Sequence, residues 1–267
     1  MKLISWNVQR GGRPSRQVPR LAKRRPDLVA LQEVTRATAS EWTEQLRSEC
    51  GLAHIETSHD VIGERTYCNL VASRWPLARL ATKLFDLPHP ERHLAVVVEH
   101  EGGELELHNT HVPDGSGHGW RKVEHFEGLY RYLSRTWRAS GHPRVLCGDF
   151  NSPRVELDED RIYTWAQNED GKLMRDRGQR WDAAERSVIL GLRAFDLTDV
   201  YRELHGYGRE ARAVSWATMR NGREFGRRFD HVFAARSLEP WTARYLEAWR
   251  SERLSDHAAI EVTFSGV

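Results

Sequence analysis

Cysteine is scarce in this chain: three among 267 residues, Cys50, Cys68 and Cys147. An odd number at wide spacing offers no disulfide framework, excludes the small secreted scaffolds that depend on one, and suits reduced thiols in a cytoplasm. No spaced Cys/His set for structural zinc is present either. Long apolar runs are missing: the longest, Leu94–Val98, falls far short of the roughly 20 residues needed to cross a bilayer. The opening Met1–Asn7 turns polar too soon for a signal peptide. A cytoplasmic protein without a membrane span is therefore expected. Net charge is also nearly absent, since 40 Lys+Arg face 38 Asp+Glu for a formal +2, so bulk charge does not announce a nucleic-acid partner. No internal repeat or low-complexity linker divides the chain, and its length is ample for one large core. A single domain over residues 1–267 is expected.

What the chain does contain is a recurring placement of polar residues at the ends of short apolar strands. Arg144–Cys147 reads as a buried strand, Gly148 permits close backbone approach, and Ser152-Pro153 stops regular structure. Asp149 and Asn151 are thus displayed at a strand end. An Asp there can orient or deprotonate a water, and an Asn two residues on can donate to an oxyanion without adding repelling charge. Alone, Gly148-Asp149-Phe150-Asn151 is equally a turn closed by an Asx bond. The pattern recurs, however. Lys2–Trp6 ends in Asn7, Leu28–Leu31 ends in Gln32-Glu33, and Glu104–Leu107 runs into Asn109-Thr110-His111. Arg227–Phe233 carries Asp230, and Asp256-His257 precedes a closing strand whose Ile260, Val262 and Phe264 share a face. Caps and turns absorb any one of these strand ends but not all six.

Their chemistry is consistent. Glu33, Asp149, Asp230 and Asp256 are hard oxygen ligands of the kind that hold magnesium together with phosphate and water. Asn7, Asn109 and Asn151 are neutral amides suited to phosphate oxygens or the metal, while His111 and His257 can donate protons or hydrogen bonds to developing negative charge. Hydrolysis of a phosphate ester assisted by a hard divalent ion uses this inventory best.

Ser5-Trp6-Asn7-Val8, Leu31-Gln32-Glu33-Val34, Asn109-Thr110-His111, Gly148-Asp149-Phe150-Asn151, Phe229-Asp230-His231 and Ser255-Asp256-His257 resemble, in order and over nearly the whole chain, the motifs of the endonuclease/exonuclease/phosphatase superfamily, the deoxyribonuclease I-like fold. Val112–Gly115, Asp199–Arg202 and Val214–Trp216 resemble its exonuclease III-like and abasic-site endonuclease branch. The resemblance implies an α+β, four-layered sandwich: two mixed β-sheets face to face with helices outside. It implies a magnesium-dependent phosphodiesterase, manganese being able to substitute, acting on DNA. Glu33 would hold the metal with Asn7 and Asp256 nearby, and Asp149 would activate the attacking water. Asn151 and Asn109 would meet phosphate oxygens, and Asp230 would orient a protonated His257. There are departures. Gln9 stands where abasic-site endonucleases often carry Asp or Asn, and His111 where exonuclease III-like enzymes carry Tyr. Ser215 and Arg227 replace two aromatic walls of the abasic-sugar pocket and leave Phe229, so a wider, more polar pocket with weak discrimination is expected. The same machinery also serves small phosphodiesters, phospholipid headgroups or sugar phosphates, and a noncatalytic binding protein is the remaining alternative.

Charge distribution favours DNA more than net charge does. Arginines and lysines at 10, 13, 16, 20 and 23–25, and arginines at 209, 212, 220, 223, 227 and 228, border the expected site loops. The acidic run Glu156–Asp160 would repel DNA and is expected outside the groove. Helical spacing predicts helices over 40–50, 120–137 and 181–192. Most tryptophans read as core, but Trp120 follows a glycine-rich segment expected to be mobile and could stack on a base or sugar. Strand alternation turns His108 and His231 away from Asn109 and Asp230. No obligate protein partner is evident.

Overall fold

The computed structural model describes residues 1–61, 67–157, 161–207, 212–220 and 222–266. Arg209 of the second cationic cluster and Asp158, Glu159 and Asp160 of the acidic run lie outside these residues. The strands are β1 (Lys2–Asn7), β2 (Leu28–Thr35), β3 (His54–Thr57), β4 (Tyr67–Ser73), β5 (Leu77–Arg79), β6 (His93–His100), β7 (Gly103–His111) and β8 (Arg144–Asp149). They continue with β9 (Val155–Glu156), β10 (Ile162–Tyr163), β11 (Thr198–Asp199), β12 (Trp216–Arg220), β13 (Arg223–Arg227), β14 (Asp230–Ala234), β15 (Pro240–Leu246) and β16 (Ala259–Phe264). Two six-stranded sheets result, in the orders β15-β16-β1-β2-β4-β3 and β11-β14-β8-β7-β6-β5. Each is antiparallel except for one central parallel pair, β1 with β2 and β7 with β8. Each parallel pair needs a crossover, supplied by helix α1 (Pro14–Arg24) in the first sheet and, after the short α3 (Gly115–His118), by α4 (Arg121–Thr136) in the second.

Alternation explains the layering. Leu3, Leu28, Ala30, Leu105, Leu107, Val145, Val232, Ile260 and Val262 face inward and form the core between the sheets. Ile4, Trp6, Val29 and Leu31 face outward onto α1 and α2 (Ala39–Cys50). Leu146 and Phe233 face outward onto α4 and α5 (Gly178–Ile189). Each fully buried Leu, Val or Ile contributes on the order of 1.5–3 kcal/mol. The four-layered sandwich expected from the sequence is the fold observed.

The predicted helices are present with shifted ends. The third runs Gly178–Ile189, ending early because its last predicted residues enter a 3-10 turn, Gly191–Phe195. Sequence spacing missed α1, which hides between prolines: Pro14 occupies its first turn, where no N–H is needed, and Pro19 lies inside it. The segment expected to be a mobile loop before Trp120 is instead α3, capped by the Asp114 carboxylate, which accepts from Ser116 N and Gly117 N.

Along the inward rows of both parallel pairs the side chains change from apolar to polar at the same end. Leu3, Ser5 and Asn7 succeed one another on β1, Leu107, Asn109 and His111 on β7, and Cys147 and Asp149 on β8. Asn109 is where the expectation fails. It is fully buried, its Nδ2 donates to Leu31 O (2.9 Å) and Leu70 O (3.0 Å), and its Oδ1 accepts from Gln32 Nε2 at 2.8 Å. Asn69 Nδ2 in turn donates to Asn109 O. Both of its amide hydrogens are spent joining the sheets, so Asn109 is a clasp with no side-chain donor left for phosphate. Asn109→Ala leaves two buried carbonyls without their donor, and the expected cost is about 2–5 kcal/mol in urea unfolding. At a temperature where the variant stays folded, its KM for substrate is expected to be unchanged, and a raised KM would restore Asn109 to the site.

Candidate active site

The carboxyl ends of the parallel strands β1, β2, β7 and β8 lie at one edge of the sandwich, where open α/β sheets present their ligand sites. Asn7, Glu33, His111 and Asp149 therefore meet. Asn7 Nδ2 donates to Glu33 Oε1 (3.1 Å) and, across the gap between the sheets, to Asp149 Oδ2 (3.0 Å). Alternation by itself would send Glu33 to the outer face, because Ala30 and Gln32 face inward. A register break between Leu31 and Val34 opposite β4 and a left-handed Glu33 (φ 61°) turn it back. Gln9, Arg10, Gly11 and Gly12 all have positive φ, at 60°, 50°, 90° and 70°. That left-handed turn brings Arg10 N onto Glu33 Oε2 (2.7 Å) and Gly11 N onto Glu33 O (2.7 Å). Three non-glycine residues held this way cost about 1–3 kcal/mol each, and such strain gathers where geometry matters to function.

On the facing sheet, Asp149 is buried with its Oδ1 accepting from Asn151 N at 2.9 Å. Gly148 makes this possible: at φ 136°, a β-carbon there would come within 1.8 Å of Thr110 O. His257 Nδ1 pairs with Asp230 Oδ2 at 2.8 Å, leaving Nε2 turned toward Asp149 Oδ2 at 3.7 Å. Burial alone would depress the His257 imidazole, but the carboxylates of Asp230 and Asp149 outweigh it and raise the pKa to about 10. Burial pushes the Asp149 carboxyl upward, opposed by His257. Burial also holds His111 well below the ordinary histidine value, so it is neutral, 3.7 Å from Asp149 Oδ2 and 3.9 Å from Glu33 Oε1.

Beside Asn151 opens a cavity of about 320 Å³ lined by Lys122, Arg177, Arg227, Trp165, Trp216, Phe225 and Phe229, with Asp114 at its rim. The cationic lining includes the expected Arg227, but the expected place of Ser215 in the wall is corrected. Ser215 is buried and faces away, its Oγ accepting from Phe229 N (2.8 Å) and Asp230 N (3.0 Å). Trp216 provides the wall instead, stacked on Phe229 with ring centroids 5.3 Å apart. Trp120 is not brought in; it packs edge-on against Trp181 at 5.5 Å, with Arg180 over its face. Asp256 is half-buried in an adjoining groove that Gln9 and Arg253 also line.

The model of the Endonuclease/Exonuclease/phosphatase family matches residues 4–257, nearly the whole chain. The chain belongs to that family. This member is a phosphoester hydrolase of the nuclease and phosphatase type. It is similar to an AP endonuclease from Archaeoglobus fulgidus at 19% identity, 99% coverage of both chains and a TM-score of 0.70. It is similar to a 3′ phosphatase, NExo, from Neisseria, solved with a product DNA hairpin, at 22% identity, 99% coverage of both chains and a TM-score of 0.69. An endonuclease/exonuclease/phosphatase from Beutenbergia cavernae is 19% identical, with 99% of this chain and 72% of that one aligned and a TM-score of 0.60. At these identities the likeness to solved structures establishes the fold.

The family generally works with a divalent metal, and the donor set here fits one: the carboxylates of Glu33 and Asp149 converge on a neutral amide, Asn7. Among the described residues Asp149, Asp230 and His257 also cluster within 4.8 Å. That trio does not suit a metal, because a protonated imidazole has no free lone pair and Asp230 is already committed to it. His231 turns away from the site as alternation predicts, bonding Asp199 Oδ2 (3.1 Å) and Ser152 O (2.9 Å).

The cationic clusters divide. Arg10, Arg13 and Arg16 are exposed, whereas Arg24 pairs with Glu261. Arg228 is buried against Glu156 and Asp199, so Glu156, expected outside the groove, is an ion-pair hub that also takes Arg202. The residues that the sequence did not single out are Lys122, Trp165, Arg177 and Phe225, which reach the site from a helix, loops and the short strand β13 without a spacing signal. Burial would raise the Glu156 carboxyl, but Arg228 and Arg202 pull it down from 4.5 to about 2. Its stabilisation is therefore complete above about pH 4.5 and is lost as pH falls toward 2. Thermal unfolding across that window is expected to show the difference between wild type and Glu156→Gln shrinking as pH drops. A constant difference would show that the ion pairs contribute nothing through charge.

Proposed function

We propose that this chain is a magnesium-dependent nuclease that hydrolyses DNA phosphodiester bonds by in-line attack of water, acting as one domain in the manner of exonuclease III-like enzymes. The observation that carries this reading is the placement of a doubly held Asp149 opposite an Asp230-oriented His257, joined through Asn151 to a cavity lined by cations and aromatic rings. Asp149 accepts the proton of the attacking water; its two oxygens are fixed by Asn7 Nδ2 and Asn151 N, so the lone pair that takes the proton is already aimed. His257 presents Nε2–H as an imidazolium to the negative charge that grows on the phosphoryl oxygens. Asn151 spends one Nδ2 hydrogen on Val112 O (2.9 Å) and keeps the other for the same charge. Glu33 would hold the metal with Asn7 beside it, and the metal would supply Lewis-acid neutralisation of the phosphate. Manganese, with the same preference for oxygen ligands, can take its place. Asp256, half-buried in the adjoining groove, would support that metal from the edge of the site. Neutral His111 is left as a hydrogen-bond partner of substrate oxygens.

The cavity favours a nucleic acid over a bare phosphate, because Trp165, Trp216, Phe225 and Phe229 offer ring faces to a sugar or base while Arg227 and the exposed Arg10, Arg13 and Arg16 suit a phosphate backbone. Trp120, packed on Trp181 and not among the residues that line the cavity, has no part in this reading. The three unpaired thiols support a reducing compartment, the cytoplasm, and among the described residues no helix is long and apolar enough to cross a membrane.

The deciding experiment is digestion of labelled abasic, intact, nicked and single-stranded oligonucleotides, together with bis(p-nitrophenyl) phosphate, with and without magnesium. DNA is expected to be cut only with the metal, and Arg227→Ala to weaken binding of every oligonucleotide about equally while making the salt dependence shallower. Turnover of the small diester with no cleavage of any DNA would replace this reading by the small-phosphoester one. The pH profile tests the histidine. Because Asp230 raises the His257 pKa, Asp230→Asn lowers it, and the alkaline limb of activity is expected to move to lower pH from near 10. An unmoved limb would detach His257 from the reaction.

A further inference from the structure

The mechanism above leaves unexplained a buried lysine and a buried glutamate beneath the cavity. Lys122 and Glu185, on α4 and α5, have side chains only 1% and 0% exposed, and Lys122 Nζ lies 3.7 Å from Glu185 Oε1. Neither is needed to join the two helices, which already meet through a shared apolar core and a more exposed Arg180–Glu127 ion pair. Taking both charges out of water is costly, and a well-packed apolar pair would serve the fold as well or better. Their hydrogen bonds show what they hold. Lys122 Nζ donates to Asn151 O at 2.7 Å, and Trp165 Nε1 donates to the same oxygen at 2.8 Å. Glu185 Oε2 accepts from Trp165 N at 3.2 Å, and Glu185 Oε1 accepts from Trp181 Nε1 at 2.5 Å. The contacts close a ring: from Asn151 O through Lys122 to Glu185, on to the Trp165 backbone, and back through the Trp165 indole to Asn151 O.

Asn151 needs such support. Its backbone is left-handed (φ 49°), a conformation an asparagine tolerates but does not prefer over extended alternatives. The same residue delivers N–H to Asp149 Oδ1 and offers its amide to the substrate. Trp165, at the other side of the ring, is a wall of the cavity. We propose that Lys122, Glu185 and Trp165 are positioning residues that lock Asn151 in its working orientation and join that orientation to the wall of the substrate cavity. The proposal rests on the reading of Asn151 as a transition-state donor. It separates two roles for Trp165: its ring face shapes the cavity, while its indole N–H holds the carbonyl. Lys122 does not touch the reacting phosphate; it acts through the Asn151 carbonyl.

Trp165→Phe keeps an aromatic wall and removes only the indole donor, and Lys122→Met/Glu185→Gln removes the ion pair without leaving a lone buried charge. With DNA and with bis(p-nitrophenyl) phosphate, both variants are expected to lose on the order of 10–100-fold in kcat, the scale of a small misplacement of a reacting group. KM for DNA is expected to stay within about twofold of wild type, since uniform binding is untouched. Melting curves establish that each variant is folded before its kinetics are compared. Unchanged kcat in folded Trp165→Phe and in the folded double variant overturns the proposal, as does a rise in KM alone, which would make these residues wall and nothing more. If the double variant does not fold, Trp165→Phe decides the matter by itself. A wild type that hydrolyses neither substrate with magnesium overturns the underlying reading of the site instead, a result distinct from an active wild type with equally active variants.

Discussion

One amide joins the two halves of this protein where it matters. Asn7 Nδ2, at the end of a strand in the first sheet, donates to Glu33 in its own sheet and to Asp149 in the other. Two carboxylates near one another in a partly desolvated seam repel, and a neutral donor between them relieves that repulsion without filling the space a cation requires. Everything near the site depends on keeping the seam at this width. The apolar rows of both sheets set it from below, and the Asn109, Gln32 and Asn69 hydrogen bonds set it immediately beneath the catalytic residues.

The seam also explains the electrostatics. Asp149 and His257 are both buried, so each loses hydration and each depends on the other for compensation. Asp230 tips the balance by keeping the proton on the imidazole, which leaves Asp149 as the group with a free lone pair. In the proposed reaction acid and base are thus assigned by environment, in the way that paired titratable groups divide their roles at other hydrolytic sites. His111, nearby but with Arg92 rather than a carboxylate dominating its surroundings after burial, is held neutral and takes no part in that proton balance.

Rigidity around the site has two sources of different kind. On the Glu33 side it is backbone strain, a left-handed turn over Gln9–Gly12 that spends two peptide N–H groups on Glu33. On the Asn151 side it is buried charge, with Lys122 and Glu185 beneath one carbonyl and the Arg228, Glu156 and Asp199 cluster behind the Phe229–His231 segment. Both cost stability in isolation. They persist because the surrounding layers, packed on both faces of both sheets, over-determine the geometry.

Much of this was legible in the residues. Apolar alternation along β1, β7, β8 and β16 specified which faces are buried, and the polar residue closing each row marked Asn7, His111, Asp149 and His257 as neighbours, because strand ends at one edge of a sheet must converge. Local pattern could not show that Asn109, with the same parity as His111, stops one step short of the surface, since depth within a seam depends on how far the facing sheet extends. Nor could it show that Glu33 faces inward, because a single left-handed residue reverses the alternation and nothing in the local sequence demands it. Trp216, not Ser215, reaches the cavity because the β12–β13 hairpin is pinned to the His257 segment by Ser215 O and Ala258 N. Lys122, Trp165 and Glu185 lie far apart along the chain, and only the packing of α4 against α5 brings them under Asn151. Periodicity reports the side of an element on which a residue lies; the distances between elements, which decide hydrogen bonds and proton affinities, are set by the packed tertiary structure alone.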